Sequence, residues 1–293
     1  MATNGFDLRG MKLSVVIPVY NERETIEEIL RRVEATGLAD EVIVVDDCST
    51  DGTRDVLQQL AANTAEGGCA TRLRLLLHEK NRGKGCAVRT GFEAATGDVV
   101  LVQDADLEYD PGDYPALLKP IVDGVADVVV GSRFLGGPHR VLYFWHSLGN
   151  RFLTTFSNLM TNLNLTDMEC CYKVFRRDVL ARLELRSERF GIEPELIARV
   201  AQLGCRIYEV PVAYFGRDYA EGKKITWKDG LAAVWHILRF GLTRPRRSGA
   251  RQSAVGGGQS AVGGGQSAVR NQQPTAPNTS PDGDGRRPPQ EGV

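Results

Sequence analysis

Two aspartates at the end of an apolar run are the residues of this chain best suited to chemistry. The run is Val99-Val100-Leu101-Val102, which has the character of a buried strand, and it continues directly into Gln103-Asp104-Ala105-Asp106-Leu107-Glu108. Because alternate side chains of an extended chain point the same way, we expect Asp104 and Asp106 to face one ligand. Adjacent carboxylates repel unless a cation lies between them. Mg²⁺ or Mn²⁺ suits such hard oxygen ligands, so the pattern predicts a divalent-cation site.

An Asp-Ala-Asp sequence is by itself equally typical of a solvated turn, so its value depends on the elements around it. Apolar runs in the first half predict strands at residues 13–19, 41–45, 73–77, 99–102 and 127–130. Amphipathic stretches between them predict helices at 21–35, around 56–60, at 86–95 and at 114–122. This alternation predicts an α/β fold with a largely parallel sheet covered by helices on both faces. Ligands of such sheets bind at the carboxyl ends of the strands, where Asp104 and Asp106 lie.

The second half of the chain is less regular. Residues 141–165 have a helical period and are rich in aromatic side chains, residues 193–203 predict another helix, and residues 206–212 predict a strand. A capping-box pattern begins at Thr226 and precedes a helix from Trp227 to Leu242 with an apolar stripe.

Composition excludes several classes of protein. The 293 residues carry a formal net charge of −1, which argues against a nucleic-acid partner because such a protein would show a basic face. The six cysteines form no Cys-x-x-Cys pair, so we expect no zinc site and reduced cytosolic thiols. Residues 1–10 do not resemble a secretory signal, and no run approaches the roughly 18 apolar residues of a membrane-spanning helix.

The composition changes from Arg244 onward. The heptapeptide Gln-Ser-Ala-Val-Gly-Gly-Gly begins at Gln252 and again at Gln259, and a partial copy begins at Gln266. Such a segment cannot bury enough apolar surface to offset the entropy of ordering. We therefore predict a flexible N-terminus at 1–10, a catalytic domain at 11–243 and a disordered tail at 244–293.

Seven short motifs occur in an order that resembles one known family. They are Val16-Ile17-Pro18-Val19-Tyr20-Asn21-Glu22, Val45-Asp46-Asp47-Cys48-Ser49-Thr50-Asp51-Gly52-Thr53, Asn81-Arg82-Gly83-Lys84-Gly85, Gln103-Asp104-Ala105-Asp106-Leu107, Gly131-Ser132-Arg133-Phe134, Cys171-Tyr172-Lys173-Val174-Phe175 and Glu209-Val210-Pro211-Val212. Together they resemble the family 2 glycosyltransferases of the GT-A fold, and most of all the dolichol-phosphate or polyprenyl-phosphate mannosyl- and glucosyltransferases. The resemblance covers about residues 12–242.

The resemblance implies a set of nucleoside contacts. In the family, the matching residues bind the nucleoside of the donor, and here they are Pro18, Tyr20, Glu22, Val45 and Asp47. From the sequence alone, Glu22 is equally well explained as a first-turn residue favoured by the helix dipole.

The resemblance also implies contacts to the donor phosphates. It assigns Asp104, Ala105 and Asp106 to the donor diphosphate and its Mg²⁺ or Mn²⁺, with Glu108 as a further metal ligand. Arg133 matches a phosphate-binding arginine of the family, and Arg suits phosphate because its guanidinium forms a bidentate fork.

Further basic residues complete the implied site. Arg217 and Lys223 match a basic pair on a loop near the donor. Lys84 lies between two glycines, and either a contact to the donor or simple exposure would explain it. The glycine pattern fits neither a dinucleotide-binding loop nor a nucleotide-triphosphatase loop.

The function implied by the resemblance is inverting transfer of a hexose, mannose or glucose, from GDP-mannose or UDP-glucose to a polyprenyl phosphate. An anionic phosphate acceptor needs no strong base, and Arg133 is expected to hold it together with Arg140 or Arg151. A sugar-hydroxyl acceptor would instead need a base, for which the candidates are Asp167, Glu169, Glu193 and Glu195. An inactive binding module is a third alternative, against which stands the presence of Asp104, Asp106 and Arg133.

A lipid acceptor predicts peripheral attachment to the cytoplasmic face of a membrane, either directly or through a membrane-protein partner. The candidate surfaces are residues 141–165 and the helix Trp227–Leu242, whose aromatic side chains and flanking basic residues suit an interfacial position. The alternative for both helices is ordinary packing against their own domain.

Overall fold

A seven-stranded sheet forms the centre of the molecule in the computed structural model, which describes residues 6–67, 71–136, 140–141, 143–189, 191–216 and 227–243. The strands are β1 (Leu13–Val19), β2 (Glu41–Asp46), β3 (Arg72–Leu77), β4 (Val99–Val102), β5 (Val128–Ser132), β6 (Lys173–Arg176) and β7 (Ile207–Pro211). Their order across the sheet is β3-β2-β1-β4-β6-β5-β7.

Most neighbouring strands run parallel. The pairs β1–β2, β1–β4, β2–β3 and β5–β7 are parallel, whereas β6 is antiparallel to both β4 and β5. The predicted largely parallel α/β sheet is therefore confirmed. Strand β6 was not predicted, because it is short and its first residue, the fully buried Lys173, interrupts the apolar pattern.

Helices cover both faces of the sheet, as predicted. They are α1 (Ile26–Ala35), α2 (Thr53–Gly67), α3 (Lys84–Ala94), α4 (Tyr114–Val122), α5 (Phe144–Thr161), α6 (Arg177–Leu180), α7 (Ile192–Gln202) and α8 (Trp227–Leu242). Ile26 of α1 packs with Ile17 in one core cluster, whereas Ala87 of α3 packs with Val16 in the other. Because alternate strand residues face opposite sides, α1 and α3 lie on opposite faces of β1.

Two helices differ from their predicted bounds for reasons visible in the backbone. Helix α1 begins at Ile26 rather than at Asn21, because Asn21 has a φ of 55° and cannot lie within a right-handed helix. Helix α5 ends before Asn162, whose φ of 56° produces a left-handed cap.

The ends of the chain bear on the predicted domain division. Residues 1–5 and 244–293 lie outside the described residues, so the tail remains a prediction. Within the predicted flexible N-terminus, Phe6 and Leu8 pack against the core, and Arg9 contacts Asp123 at 3.3 Å. No described helix is both long enough and apolar enough to cross a membrane.

Candidate active site

The candidate site lies where parallel strands β1, β2 and β4 end at the same edge of the sheet. The polar segment after β4 is fixed by Gln103, which is fully buried. Its Oε1 accepts hydrogen bonds from the hydroxyls of Tyr114 (2.9 Å) and Tyr172 (2.8 Å), and its Nε2 donates to the carbonyl oxygen of Asp104 (3.0 Å). A buried amide with each group engaged holds the backbone of Asp104 in one orientation.

Lys84 connects Asp104 to the second half of the chain. Its Nζ lies 2.9 Å from Oδ1 of Asp104 and 3.0 Å from Oε1 of Glu193. Burial opposes the ammonium charge, but Asp104 and Glu193 outweigh this effect and raise the pKa of Lys84 well above its ordinary value. The interpretation of Lys84 as an exposed lysine is therefore wrong: it belongs to the candidate site.

The loop that carries Lys84 is packed tightly against residues 187–189. A β-carbon on Gly83 would lie 2.5 Å from the carbonyl oxygen of Glu188, and one on Gly85 would lie 2.5 Å from that of Ser187. Gly83 also has a φ of 90°, which side-chain-bearing residues rarely adopt. The two glycines are thus required for Lys84 to reach the site from the first turn of α3, where the helix dipole disfavours a cation.

Asp106 and Glu108 lie on the turn that follows Asp104. Oδ1 of Asp106 accepts a hydrogen bond from the backbone N–H of Glu108 (3.1 Å), and Leu107 between them has a φ of 61°. Oε2 of Glu108 accepts from the Tyr214 hydroxyl at 3.0 Å. Within the described residues, no group of three or more His, Cys, Asp or Glu side chains converges on a metal position. Asp104 already attracts an ammonium, and a second carboxylate follows two residues later, so the pair nevertheless fits a divalent cation and this role stays a prediction.

Asp47, predicted to bind the nucleoside, is occupied by groups of the protein itself. Its carboxylate accepts hydrogen bonds from the backbone N–H groups of Arg82 (2.9 Å) and Gly83 (2.6 Å), and it lies 2.7 Å from Nδ1 of His78. The structure therefore gives Asp47 a definite task, which is to hold the loop that carries Lys84. Its direct contact with a nucleoside remains a prediction.

The other predicted nucleoside contacts lie in β1 and β2 or directly after β1. Pro18 and Val45 are buried partners in the β1–β2 ladder, so only their backbone can meet a ligand. Pro18 lies beyond the end of the β1–β4 pairing, which stops at Val16. Tyr20 is 41% exposed, and Glu22 accepts from the Thr25 hydroxyl at 2.9 Å. An open groove of about 610 Å³ follows β3 and has His78 and Arg82 in its wall.

Arg133, at the end of β5, is held by a carboxylate. Its Nε and Nη2 donate to Oδ2 (2.6 Å) and Oδ1 (2.7 Å) of Asp167, which is fully buried. Its guanidinium also lies over the ring of Tyr214, 5.1 Å from the centroid. Asp167, considered above as a base, is therefore committed to Arg133, and the sequence offered no signal for this long-range pair.

The remaining base candidates divide into two kinds. Glu195 is structural, because it accepts hydrogen bonds from the backbone N–H groups of Arg186 and Ser187. Glu169 and Glu193 each have a buried carboxylate oxygen that lacks a hydrogen-bond partner within the described residues. Burial, followed by the negative charge of Glu193, raises the pKa of Glu169 to about 7. These two carboxylates are the ones still available to a ligand.

The other predicted basic contacts are less defined. Arg140 donates through Nη1 to the carbonyl oxygen of Gly216 (3.1 Å), and Arg151 is exposed on α5. Arg217 and Lys223 lie outside the described residues.

Helix α5, which follows β5, exposes a stripe of apolar side chains, although Leu153, Phe156 and Met160 pack against the core. Its outward stripe contains Trp145 (76% exposed), Leu148, Phe152 and Leu159 (77% exposed), and an adjoining Phe144 is exposed as well. Its two fully buried residues, Thr154 and Ser157, are polar. Helix α8 packs closely beside it, since a β-carbon on Gly241 would lie 2.9 Å from Cβ of Met160. An exposed apolar surface of this kind is typical of interaction sites.

Exposed apolar residues continue on helix α8. They are Leu231, Trp235 and Leu242, whereas Ile237 and Phe240 are buried. The predicted cap at Thr226 and the side chain of Trp227 lie outside the described residues.

Comparison with known proteins identifies the family. Residues 14–184 match the family described as glycosyl transferase family 2. An undecaprenyl-phosphate mannosyltransferase from Micrococcus luteus is 31% identical, over 79% of this chain and 95% of that protein. The chain belongs to glycosyl transferase family 2, and the resemblance inferred from its motifs is confirmed.

Other relatives match over a smaller share of their length. A dolichol-phosphate mannosyltransferase from Pyrococcus furiosus is 31% identical over 78% of this chain, and the match spans 64% of that protein. An undecaprenyl-phosphate 4-deoxy-4-formamido-L-arabinose transferase from Pseudomonas paraeruginosa is 33% identical over 72% of this chain and 60% of its own length.

Solved structures establish the fold. Glucosyl-3-phosphoglycerate synthase from Mycobacterium tuberculosis, in complex with Mn²⁺, uridine diphosphate and phosphoglyceric acid, superposes with a TM-score of 0.61. The identity is 21%, and the match covers 83% of this chain and 87% of that one. A complex of the same enzyme with Mg²⁺ and uridine diphosphate gives a TM-score of 0.58 at 23% identity, over 79% and 80% of the two chains. The likeness shows that the sheet and its helices form a GT-A fold.

Proposed function

We propose that this protein transfers a hexose from a nucleotide-sugar donor to a polyprenyl phosphate, with inversion at the anomeric carbon. The observation that carries the proposal is that an acidic site and a basic site lie at the same edge of the sheet. Asp104 and Asp106 follow β4, and Arg133 follows β5. Relatives named as polyprenyl-phosphate and dolichol-phosphate mannosyltransferases support this acceptor class and favour mannose over glucose.

Asp104 and Asp106 are the residues that would hold Mg²⁺ or Mn²⁺, with the donor diphosphate supplying further oxygen ligands. When bound, the cation neutralises the negative charge that develops on the departing diphosphate. Gln103 fixes the backbone beneath Asp104, and Lys84 provides a second positive charge beside it. Glu108 would add a metal ligand only if its carboxylate is shared with Tyr214. Pro18, Tyr20, Glu22, Val45 and Asp47 remain the proposed nucleoside contacts, with Arg217 and Lys223 near the phosphates.

Arg133 is proposed to bind the acceptor phosphate. Two of its nitrogens are used by Asp167, and no described residue accepts a hydrogen bond from its Nη1. A phosphate monoester is already anionic near neutral pH, so attack on the sugar needs positioning and charge balance rather than a strong base.

We further propose that the outward stripe of α5 and the exposed residues of α8 lie on a lipid bilayer at the cytoplasmic face of a membrane. The acceptor class is anchored in lipid, and the exposed aromatic side chains, together with Arg151 and Arg239 nearby, suit the interface between lipid and water. A membrane-protein partner on the same surface is the competing occupant, and flotation of the purified protein with anionic vesicles distinguishes the two.

The test is a transfer assay with radiolabelled GDP-mannose and UDP-glucose, vesicles that contain polyprenyl phosphate, and Mg²⁺ or Mn²⁺. We expect label from GDP-mannose to enter the lipid extract and to stop doing so in excess chelator. Arg133→Lys should recover only part of the activity lost in Arg133→Ala, because a point charge does not replace the planar fork. Transfer that is unaffected by chelator would contradict the metal role, and absence of lipid product with every donor would contradict the acceptor.

One observation favours a second candidate function, transfer to a sugar hydroxyl. The pKa of Glu169, raised to about 7 by burial and by Glu193, is where a general base works best. Under this alternative, soluble saccharides would be glycosylated with a rate that rises with pH through about 7, and Glu169→Gln would abolish the reaction. Transfer to polyprenyl phosphate does not need Glu169 in this role.

A further inference from the structure

The guanidinium of Arg133 is shared between the protein and the proposed acceptor. Asp167 binds Nε and Nη2 from one side, and the ring of Tyr214 supports the face of the guanidinium. Only Nη1 has no acceptor among the described residues. The direction in which Nη1 points is therefore set by whatever holds the Arg133–Asp167 pair in place.

Asn150, on helix α5, contacts both members of this pair. Its Nδ2 donates to Oδ1 of Asp167 (3.1 Å), and its Oδ1 accepts from Nη2 of Arg133 (3.3 Å). The amide thus closes a ring of hydrogen bonds around the ion pair. Hydrogen bonds to charged groups are the stronger ones, and they fix geometry as well as adding stability.

The same inner face of α5 also holds the segment that carries Asp167. Oγ1 of Thr154 accepts from the backbone N–H of Met168 (3.2 Å), and Asn158 bonds both the N–H (3.1 Å) and the carbonyl oxygen (2.7 Å) of Leu165. The buried Thr154 is therefore used to hold the backbone next to Asp167, whereas Asn158 holds the more distant Leu165.

We infer that Asn150 is a positioning residue for transfer to the acceptor phosphate, and that α5 links the lipid-facing surface to Arg133. The inference rests on the proposed function, in which Arg133 binds that phosphate. Asn150 acts through Arg133 and does not itself touch the substrate. Because Trp145 and Phe152 lie on the outer face of the same helix, the depth at which α5 rests on lipid fixes the height of Nη1 above it. The phosphate of a lipid acceptor lies at that boundary.

The experiment compares Asn150→Leu with Asn158→Leu in the full-length protein. Asn158 is the matched control, because it lies on the same inner face and makes two hydrogen bonds, yet it contacts neither Arg133 nor Asp167. Each variant is assayed with a short water-soluble prenyl phosphate and with a long polyprenyl phosphate in vesicles. We expect Asn150→Leu to raise the KM for both acceptors about tenfold, the effect of one charged hydrogen bond, with the donor KM unchanged. Asn158→Leu should lower the melting temperature without changing the acceptor KM.

The part of the experiment that tests docking on lipid changes residues on the outer face of α5. Trp145→Ser with Phe152→Ser should raise the KM only for the acceptor in vesicles, because the short acceptor requires no docking on lipid. Where Asn150→Leu fails to fold, Asn150→Ser removes the same two bonds with a smaller change in polarity and serves in its place.

Two results would overturn the inference, and they are distinguishable. If the wild type transfers sugar to prenyl phosphates but Asn150→Leu changes the acceptor KM no more than Asn158→Leu does, Asn150 is only structural, and the proposed function stands. If the wild type instead glycosylates a saccharide hydroxyl and no prenyl phosphate, the proposed function fails, and the role of Asn150 fails with it.

Discussion

Two pairs of carboxylates at the same edge of the sheet differ in how completely the protein hydrogen-bonds them. At the end of β2, Asp46 is paired with Arg54, and the next residue, Asp47, accepts from three donors of the segment that follows β3, so both are fully used by the protein. Glu169 and Glu193 come from the second half of the chain, and each has a buried oxygen without a described partner. The first pair stabilises the fold, whereas the second pair consists of buried, incompletely hydrogen-bonded carboxylates that lower the stability of the fold.

The degree to which a buried carboxylate is hydrogen-bonded separates acidic residues of the scaffold from those available for chemistry. A saturated carboxylate stabilises the fold, and its removal is expected to lower the free energy of unfolding. An unsaturated buried carboxylate destabilises the fold, so its presence needs another explanation, such as a ligand. Asp104 is intermediate between the two kinds. Among the described residues its one cationic partner is Lys84, which also contacts Glu193.

The largest effect is expected at Asp104. Asp104→Asn should lower kcat by about 10²–10³-fold, because the diphosphate leaving group would lose a ligand of its counter-charge. The free energy of unfolding should change much less, since Lys84 keeps Glu193 as a partner. Asp123→Asn, at a surface ion pair, is the matched control and should retain full activity. Comparable losses of activity in both variants would remove the distinction between site and scaffold.

A large effect on stability is expected at Asp47. Asp47→Ala should lower the free energy of unfolding by about 3 kcal/mol, because two backbone N–H groups and His78 lose their acceptor together. Urea denaturation of the wild type and the variant measures this difference. A stability equal to that of the wild type, combined with a raised donor KM, would show that Asp47 is a ligand contact rather than a loop anchor.

Replacement of Glu169 is expected to have a smaller effect on stability than replacement of Asp47, and in the opposite direction. Its pKa is about 7 in the folded protein against an ordinary value of 4.5, so the stability it contributes is complete below about pH 4.5 and is lost as the pH rises through 7. Glu169→Gln should therefore be more stable than the wild type at pH 8, by about 2 kcal/mol for a partly exposed group, but not at pH 4.5.

A surface carboxylate provides the control for this pH dependence. Hydrogen bonds from Arg31 and Arg32 lower the pKa of Glu28 to about 2, so Glu28 is already ionised at pH 5 and above. Glu28→Gln should consequently show the same difference from the wild type at pH 5 and at pH 8. If the difference in stability between Glu169→Gln and the wild type is also the same at pH 5 and at pH 8, burial and the charge of Glu193 do not raise the pKa of Glu169.

The sequence predicted the elements whose signal is local. Strands such as β1 and β4 are continuous apolar runs, and the position of Asp104 and Asp106 after β4 follows from that pattern alone. The family resemblance added Arg133 and the nucleoside contacts, which no local pattern reveals.

The partners of those residues were beyond the reach of the sequence. The pairing of Arg133 with Asp167 and the bridge from Lys84 to Glu193 join residues far apart in the chain, and charge alone does not select them. The aromatic residues of helix α5 predicted the helix but not which of its faces is turned to the core. Only the structure shows that Thr154 and Ser157 face inward while Trp145 faces out.

Strand β6 has a consequence for the order in which the protein folds. Strands β1 to β4 find parallel partners among themselves as soon as they have been synthesised. Strand β5, by contrast, pairs within the described part of the chain only with β6 and β7, both of which follow α5. Helix α4 precedes β5 and packs against it, but both backbone edges of β5 stay unpaired on the ribosome until the antiparallel strand arrives, an interval in which such a segment is prone to aggregation. Substitutions that weaken β6 are accordingly expected to reduce the yield of soluble protein during expression more than they reduce the stability of the molecules that finish folding.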